Sequence, residues 1–208
     1  MKLAIFGATG TVGRHVVEQA LAQGHQVVAF ARNPANLAIT HPNFRPFSGD
    51  VFEPLAVSTA IKGCDGVLVS LGSSKLTGKV RSVGTRHIVE AMEQQQVKRL
   101  ICQSTLGVGE SRANLNFFWK YIMFGFILRC IFKDHVEQEK IVENSSLDWT
   151  IVHPAAFTDE PANKDYQQGF AATERKLKLK ISRAAVADFM LKQLKSDEYL
   201  YQRPGLSY

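Results

Sequence analysis

The stretch Gly7-Ala8-Thr9-Gly10-Thr11-Val12-Gly13 is where residue type and spacing first suggest chemistry. It follows a short apolar run, Lys2 to Phe6, that reads as a buried strand. It precedes residues that repeat at helical spacing to about Gln23, with Val12, Val16 and Ala20 in one row and Val17 and Leu21 beside it. A glycine triad alone is a weak motif; between a strand and a helix it acquires a mechanism. Gly7 permits the tight turn, Gly10 lets the backbone approach a pyrophosphate, and Gly13 lets the helix pack close to the sheet. Thr9, Thr11 and Val12 can offer backbone N–H groups at the positive end of the helix. The chemistry such a loop supports is dinucleotide binding.

Other candidates stand where strands should end. After the second strand the chain reads Ala31-Arg32-Asn33, not the Asp or Glu that accepts hydrogen bonds from a ribose. The guanidinium of Arg32 suits a 2′-phosphate, so NADP(H) is the expected cofactor. Asp50 and Val51 follow the third strand and are expected at the adenine edge, although Asp50 could equally cap the next helix. Leu71, Gly72 and Ser73 follow the fourth and are expected beside the nicotinamide ribose. Ser104 lies just beyond the fifth, able to donate to a nicotinamide amide or a substrate carbonyl, or merely to its own backbone. His135 lies within Asp134-His135-Val136-Glu137, which reads equally as a helix start carrying an exposed histidine. His15, His25, His41 and His87 read as surface residues. The Tyr and Lys pair at i and i+4 of short-chain dehydrogenases is missing, since Tyr121 is followed at that spacing by Gly125. An alcohol dehydrogenase mechanism thereby loses its acid/base.

These residues need a frame that brings strand ends together. Strands are expected at 2–6, 26–30, 44–48, 66–70, 98–103 and 149–152, and helices at 11–23, 54–61, 78–95 and 133–144. A last helix should be capped by Ser182 and run to about Leu194. Alternation of this kind predicts an α/β, Rossmann-like doubly wound parallel sheet of order 3-2-1-4-5-6, with ligands outside the carboxyl ends of the strands. Residues 1–208 read as one domain with a small substrate-covering C-terminal part. Lys176, Lys178 and Lys180 alternate with Leu177 and Leu179 like the outer face of a strand. The apolar segment Leu115 to Phe132 holds Lys120 and Arg129, which argue against a membrane span. It reads as a helix on the sheet or a cover over a substrate pocket, and its Phe117, Phe118, Trp119, Tyr121 and Phe124 suit a flat aromatic ligand as well as an ordinary core.

The net charge of +6 fits an anionic cofactor, while the scatter of the basic residues speaks against nucleic acid. Cys64, Cys102 and Cys130 are far apart and odd in number, without metal-ligand spacing. A reducing cytoplasmic setting, no signal peptide and a monomer are the expectations, with Cys64 and Cys130 as packing residues.

Gly7 to Gly13, Gly49-Asp50-Val51, Leu71-Gly72, Ser82-Val83-Gly84-Thr85-Arg86 and Ser104 together resemble the atypical short-chain dehydrogenase/reductases of the NmrA-like group. Within it the chain looks most like the flavin and biliverdin reductases, over nearly its whole length, including Ile181-Ser182 and Phe189-Met190-Leu191. The resemblance implies NADPH as hydride donor and a flavin or linear tetrapyrrole as acceptor. It places phosphates on Gly10, Thr11 and Gly13, the 2′-phosphate on Arg32, adenine by Asp50 and Val51, and ribose by Gly72 and Ser73. Ser104 aligns with an active-site serine and His135 with a histidine near the substrate. Asn36 stands where the family often has a second arginine, and Ala156 where it has a histidine; His153, three positions earlier, is not that histidine's equivalent. The same group contains non-catalytic NADP(H) sensors and assembly factors. For a member of that kind, Leu115 to Phe132 would be a partner surface. A relative of sugar-nucleotide epimerases is disfavoured by the missing Tyr/Lys pair.

Overall fold

Short runs of apolar β-formers make the interior of the sheet. In the computed structural model, which describes residues 1–72, 78–161 and 165–208, these are β1 (Lys2–Phe6), β2 (Gln26–Ala31), β3 (Phe44–Ser48), β4 (Gly66–Val69), β5 (Arg99–Gln103) and β6 (Asp148–Pro154). They pair in parallel in the expected order β3-β2-β1-β4-β5-β6. Four more strands escaped the periodicity reading because each holds only two or three residues: β7 (Ala156–Thr158), β8 (Gln167–Gln168), β9 (Lys180–Ser182) and β10 (Gly205–Ser207). The sheet continues β6-β10-β8, parallel and then antiparallel, and β7 with β9 forms a separate parallel pair. Of the lysines read as one strand face, only Lys180 lies in a strand. Leu179 has a φ of 54°, which breaks the pleat that the alternation implied.

Alternation along the strands sends side chains to two faces, and each face is covered. Leu3, Ile5, Val27 and Ala29 pack with α1 (Gly13–Ala22) and α5 (Arg183–Lys192). Ala4, Phe6, Val28 and Phe30 pack with α2 (Pro54–Ile61), α3 (Val80–Gln94) and α4 (Arg129–Glu143). Ser182 caps α5 as expected, its Oγ accepting from Ala185 N at 3.2 Å. At the amino end of β5, Arg99 donates to Gln193 O (2.6 Å), Asp148 O (2.8 Å) and Thr150 Oγ1 (2.9 Å), tying the tail of α5 to β6. At the outer edge, β3 carries an exposed Pro46 in register with Ala29.

Helix α4 begins at Arg129, four residues before the expected start. A π-helix over Phe118–Ile127 runs almost directly into it. The apolar segment is therefore no plain helix packed on the sheet. Leu115 and Phe124 are buried, while Phe117, Phe118, Tyr121, Ile122, Phe126 and Ile127 are exposed. Among the described residues, no helix is long and apolar enough to cross a membrane. Two smaller expectations are corrected. Cys130 sits exposed in the first turn of α4, and His25 is buried at the turn from Gly24 into β2.

Candidate functional site

The register brings Phe6, Phe30, Val69, Cys102 and Ile151 to the carboxyl end of the sheet. Two adjoining spaces open there. A groove of about 700 Å³ is lined by Gly7, Thr9, Gly10, Arg32, Asp50, Val51 and neighbours. A pocket of about 430 Å³ is lined by Thr11, Val12, Ser104, His135, Trp119 and others. Gly10, Ser70, Leu71 and Gly72 line both, so the two form one continuous channel across the strand ends.

The loop that separates them tolerates no side chains at its turns. Gly7 has a φ of 80°, and a Cβ there would lie 2.3 Å from Ser70 O; a Cβ on Gly13 would lie 2.1 Å from Gly7 O. Gly13 lines neither space and serves the packing of α1 on the loop. No side chain caps the start of α1, and no acidic residue occupies its first turn. A helix N-terminus in that state fits an anion, as a pyrophosphate-bearing cofactor requires. The far wall is held by α3: a Cβ on Gly84 would lie 2.9 Å from both Leu71 and Val51, and His87 Nδ1 lies 2.8 Å from Val51 O.

Arg32 is exposed at the end of β2 and faces the groove, as expected. Asp50 also lines it while its Oδ1 accepts from Phe52 N at 3.0 Å, so the carboxylate pins its own turn. Asn36 O accepts from Arg14 Nη2 at 2.7 Å, which brings a second guanidinium to the loop after β2 that the sequence reading did not foresee. Ser73 lies outside the described residues.

Behind the pocket lies a buried polar cluster. Ser104 follows β5, with its N–H donating to Val152 O at 2.8 Å. Its Oγ donates to Glu139 Oε1 and lies 3.3 Å from His135 Nδ1. His135 and Glu139 sit one turn apart on the same face of α4, which explains why both reach one serine. His153, on β6, places Nε2 at 2.9 Å from the same Glu139 oxygen. Next to them, Asp134 accepts from Arg81 N, Ser82 N and Ser82 Oγ, and its carboxylate lies 3.6 Å from the Arg81 guanidinium. Burial, helped by the charge of Arg81, pushes His135 down to about 3, so the imidazole is neutral at physiological pH. Burial drives the Cys102 thiol upward, with Glu139 adding to it, so this cysteine is no nucleophile.

The pocket walls are apolar. Trp119, Phe124 and Leu128 come from the π-helix and its exit, Ala156 and Phe157 from β7, and Leu179 from the turn just before β9. The apolar segment thus acts as a cover on its inner side, and the C-terminal part closes the opposite wall. Two cations reach this lining, Arg81 and Arg183, and each has a buried Nε without a hydrogen-bond partner among the described residues.

Glu139, His153 and Arg81 were missed by the sequence reading. A carboxylate four residues after His135 is a signal for one shared helix face, yet surface helices carry such pairs everywhere. Only tertiary packing buries this one.

A family model described as NAD(P)H-binding matches residues 7–197. The chain belongs to this NAD(P)H-binding family. Its sheet order and loop are consistent with an atypical short-chain dehydrogenase/reductase of the NmrA-like kind. It is 26% identical over 164 residues to the photosystem II assembly factor Ycf39 of Synechocystis, a match covering 76% of this chain and 45% of that protein. For two further curated relatives the match covers 30% and 60% of their length, so the chain spans less than two thirds of these proteins. Among solved structures it resembles ChuY, an anaerobillin reductase from Escherichia coli O157:H7, with a TM-score of 0.79, 23% identity and coverage of 100% and 97% of the two chains. It also resembles a short-chain dehydrogenase/reductase from Veillonella parvula in complex with NADP, with a TM-score of 0.84, 15% identity and coverage of 100% and 94%. At these identities the two structures speak for the fold.

Proposed function

We propose that the chain is an NADPH-dependent reductase that passes hydride to a flavin or a linear tetrapyrrole. The observation that carries this reading is the 430 Å³ pocket, apolar on its walls, continuous with the glycine-loop groove and faced by Ser104, Arg81 and Arg183. A flat conjugated molecule gains most from Trp119, Phe124 and Phe157, and acidic substituents gain from the two guanidiniums. The absence of a Tyr/Lys pair also favours acceptors whose own conjugation receives the electrons. Likeness to an anaerobillin reductase supports the tetrapyrrole class.

In this reading Gly7, Thr9, Gly10, Thr11 and Val12 hold the pyrophosphate. Arg32 holds the 2′-phosphate, with Arg14 bracing the adjacent loop. Asp50 and Val51 flank the adenine, and Leu71 and Gly72 the nicotinamide ribose. Reduced nicotinamide, when bound, supplies a hydride. The chain's part is to align the acceptor, exclude water and hold a proton near Ser104. Ser104 donates from a buried oxygen that His135, neutral and a hydrogen-bond donor, keeps oriented.

The test is loss of NADPH absorbance when FMN or biliverdin is added to pure protein. No turnover with flavins, bilins or quinones would remove the reading. Ser104→Ala is expected to lower turnover on the order of a hundredfold while leaving NADPH affinity in place; an unchanged rate would reduce the serine to a structural residue.

A second reading has its own observation. The outer side of the cover exposes Phe117, Phe118, Tyr121, Ile122, Phe126 and Ile127 as one apolar stretch. Such a patch suits a protein partner, as in a cofactor-binding assembly factor, and Ycf39 is among the relatives. Tight NADPH binding without turnover, plus a stable complex lost in Phe126→Ser, would select it.

A further inference from the structure

The outer face of the cover has a pattern of its own. Among the described residues ten large apolar side chains are exposed, and six of them, Phe117, Phe118, Tyr121, Ile122, Phe126 and Ile127, fall within eleven consecutive positions. That concentration sets them apart from the singly scattered apolar residues of an ordinary surface. The π-helix explains it. Its wide turn puts residues four and five apart on one side, so Phe117, Tyr121 and Phe126 make one row and Phe118, Ile122 and Ile127 another. The Phe117 and Tyr121 rings lie 4.9 Å apart. None of the six lines the 430 Å³ pocket. Their tips stand clear of the protein, with Phe126 83% and Phe117 71% exposed.

Cations gather where this face ends. Backbone hydrogen bonds run through the junction with α4, from Leu128 N to Met123 O at 2.6 Å and from Phe132 N to Leu128 O at 2.8 Å. The exposed face therefore continues into α4. Ile122, Phe126, Arg129 and Lys133 follow one another at spacings of four, three and four, and all are exposed. Arg112 reaches the same end from the preceding loop, its guanidinium 5.9 Å from the centre of the Phe132 ring. From Ser111 to Lys133 the sequence holds no Asp or Glu. Asp134 is buried against Arg81, and Glu137 pairs with Lys79 at 3.0 Å, so neither offsets these charges. Glu110, exposed two residues before Arg112, is one acid against three exposed cations.

We propose that this face docks on the surface of an anionic lipid bilayer. Phe117, Tyr121 and Phe126 enter the interface, and Arg112, Arg129 and Lys133 meet the lipid phosphates. An apolar face beside a cationic one is the pattern of a helix that lies in a membrane interface, and a tyrosine there keeps its polar tip at the headgroups. The chain lies on the bilayer and does not cross it, since among the described residues no helix is long and apolar enough to span one. The net charge of +6 adds attraction to the same surface. The same features disfavour other occupants. A twofold contact between copies would place both sets of three cations at one interface. A protein groove would have to match each protruding ring, whereas fluid acyl chains accept the rings in any arrangement. The docking goes beyond the reductase reading and does not depend on turnover.

The test is sedimentation of the full chain with unilamellar vesicles of phosphatidylcholine and phosphatidylglycerol in about equal parts. The chain should pellet with them, and its affinity should fall on the order of tenfold on pure phosphatidylcholine and again at high salt. Phe126→Ser should lose on the order of tenfold in affinity. Leu55→Ser removes an apolar side chain that is 81% exposed outside this face and should change nothing. Arg129→Gln and Lys133→Gln together should also cost on the order of tenfold. Brominated acyl chains should quench the added fluorescence of Phe126→Trp and not that of Leu55→Trp. No pelleting with the mixed vesicles, equal affinity for pure phosphatidylcholine, undiminished affinity in Phe126→Ser or no quenching of Phe126→Trp overturns the proposal. A wild type that ignores vesicles but forms a dimer lost in Phe126→Ser gives the face to a second copy. A complex with a purified protein, lost in the same variant of a chain that ignores vesicles, gives it to that partner. Either result also overturns the proposal.

Discussion

The groove and the pocket back wall sit side by side at one end of the sheet and are built on opposite plans. The groove is backbone: glycines at turns, a bare helix start and one exposed arginine. The back wall is side chain: Ser104, His135, Glu139 and His153, each buried and each delivered by a different stretch of chain except for the pair on α4. Backbone sites are specified by neighbours in sequence. Side-chain sites of this kind are specified by packing, so they carry a large energetic stake and a faint sequence signature.

That contrast predicts where substitutions should hurt stability. Glu139→Ala leaves His153 and Ser104 facing a void and should cost about 3–5 kcal/mol in urea denaturation. A loss under 1 kcal/mol would mean that the cluster is no more coupled than the groove. Arg99→Met, at the opposite end of the sheet, removes charge-assisted bonds to four acceptors, Gln193 O, Asp148 O, Thr150 Oγ1 and Ser196 O, and should cost about 2–3 kcal/mol. NADPH affinity should not change with it; a changed affinity would show that the two ends of the sheet are not independent.

In the groove the expected effect is on binding. Arg32→Glu should weaken NADPH by about 1.4–2.8 kcal/mol, or ten- to a hundredfold, and NADH far less, with chain stability unchanged. Equal losses for the two cofactors in a titration would remove Arg32 from the 2′-phosphate.

Acid separates the two regions again. His135 is lowered to about 3 from an ordinary 6.5, so the unfolded chain binds its proton first as the pH falls. Its contribution is complete above pH 6.5 and is lost as the pH drops towards 3, at most about 1.4 kcal/mol per pH unit. Melting curves from pH 7 to 4 should therefore be steeper in pH for the wild type than for His135→Gln. Parallel curves would deny the imidazole its buried, neutral state.

Much of the frame was legible. The run Lys2 to Phe6, the triad after it and the apolar rows of α1 specify a strand, a turn and a helix by local rules, and the order of the first six strands follows from right-handed crossovers. Arg32 and Ser104 could be placed because strand ends could be placed. The back wall was half legible. Ser104 and His135 were expected near a substrate, but the link from Ser104 to His153 runs through Glu139, which looks like any helix glutamate until α4 packs on α3. The segment 115–132 misled in part because apolar content argues for burial, whereas a π-helix widens the turn and turns much of it outward. The strands β7 to β10 were illegible for want of length.

Pro46 bears on what this molecule does among its own copies. Along β3 the odd-numbered positions face β2: Asn43 O accepts from Val27 N, and Gly49 N donates to Ala31 O. Position 46 is out of phase with these, so its backbone nitrogen points away from the sheet, where another strand would have to add. A proline has no hydrogen to give there, and the charged Arg45 precedes it. At that rim the sheet refuses an additional strand, so β3 is a poor template for sheet-to-sheet stacking of one molecule on the next.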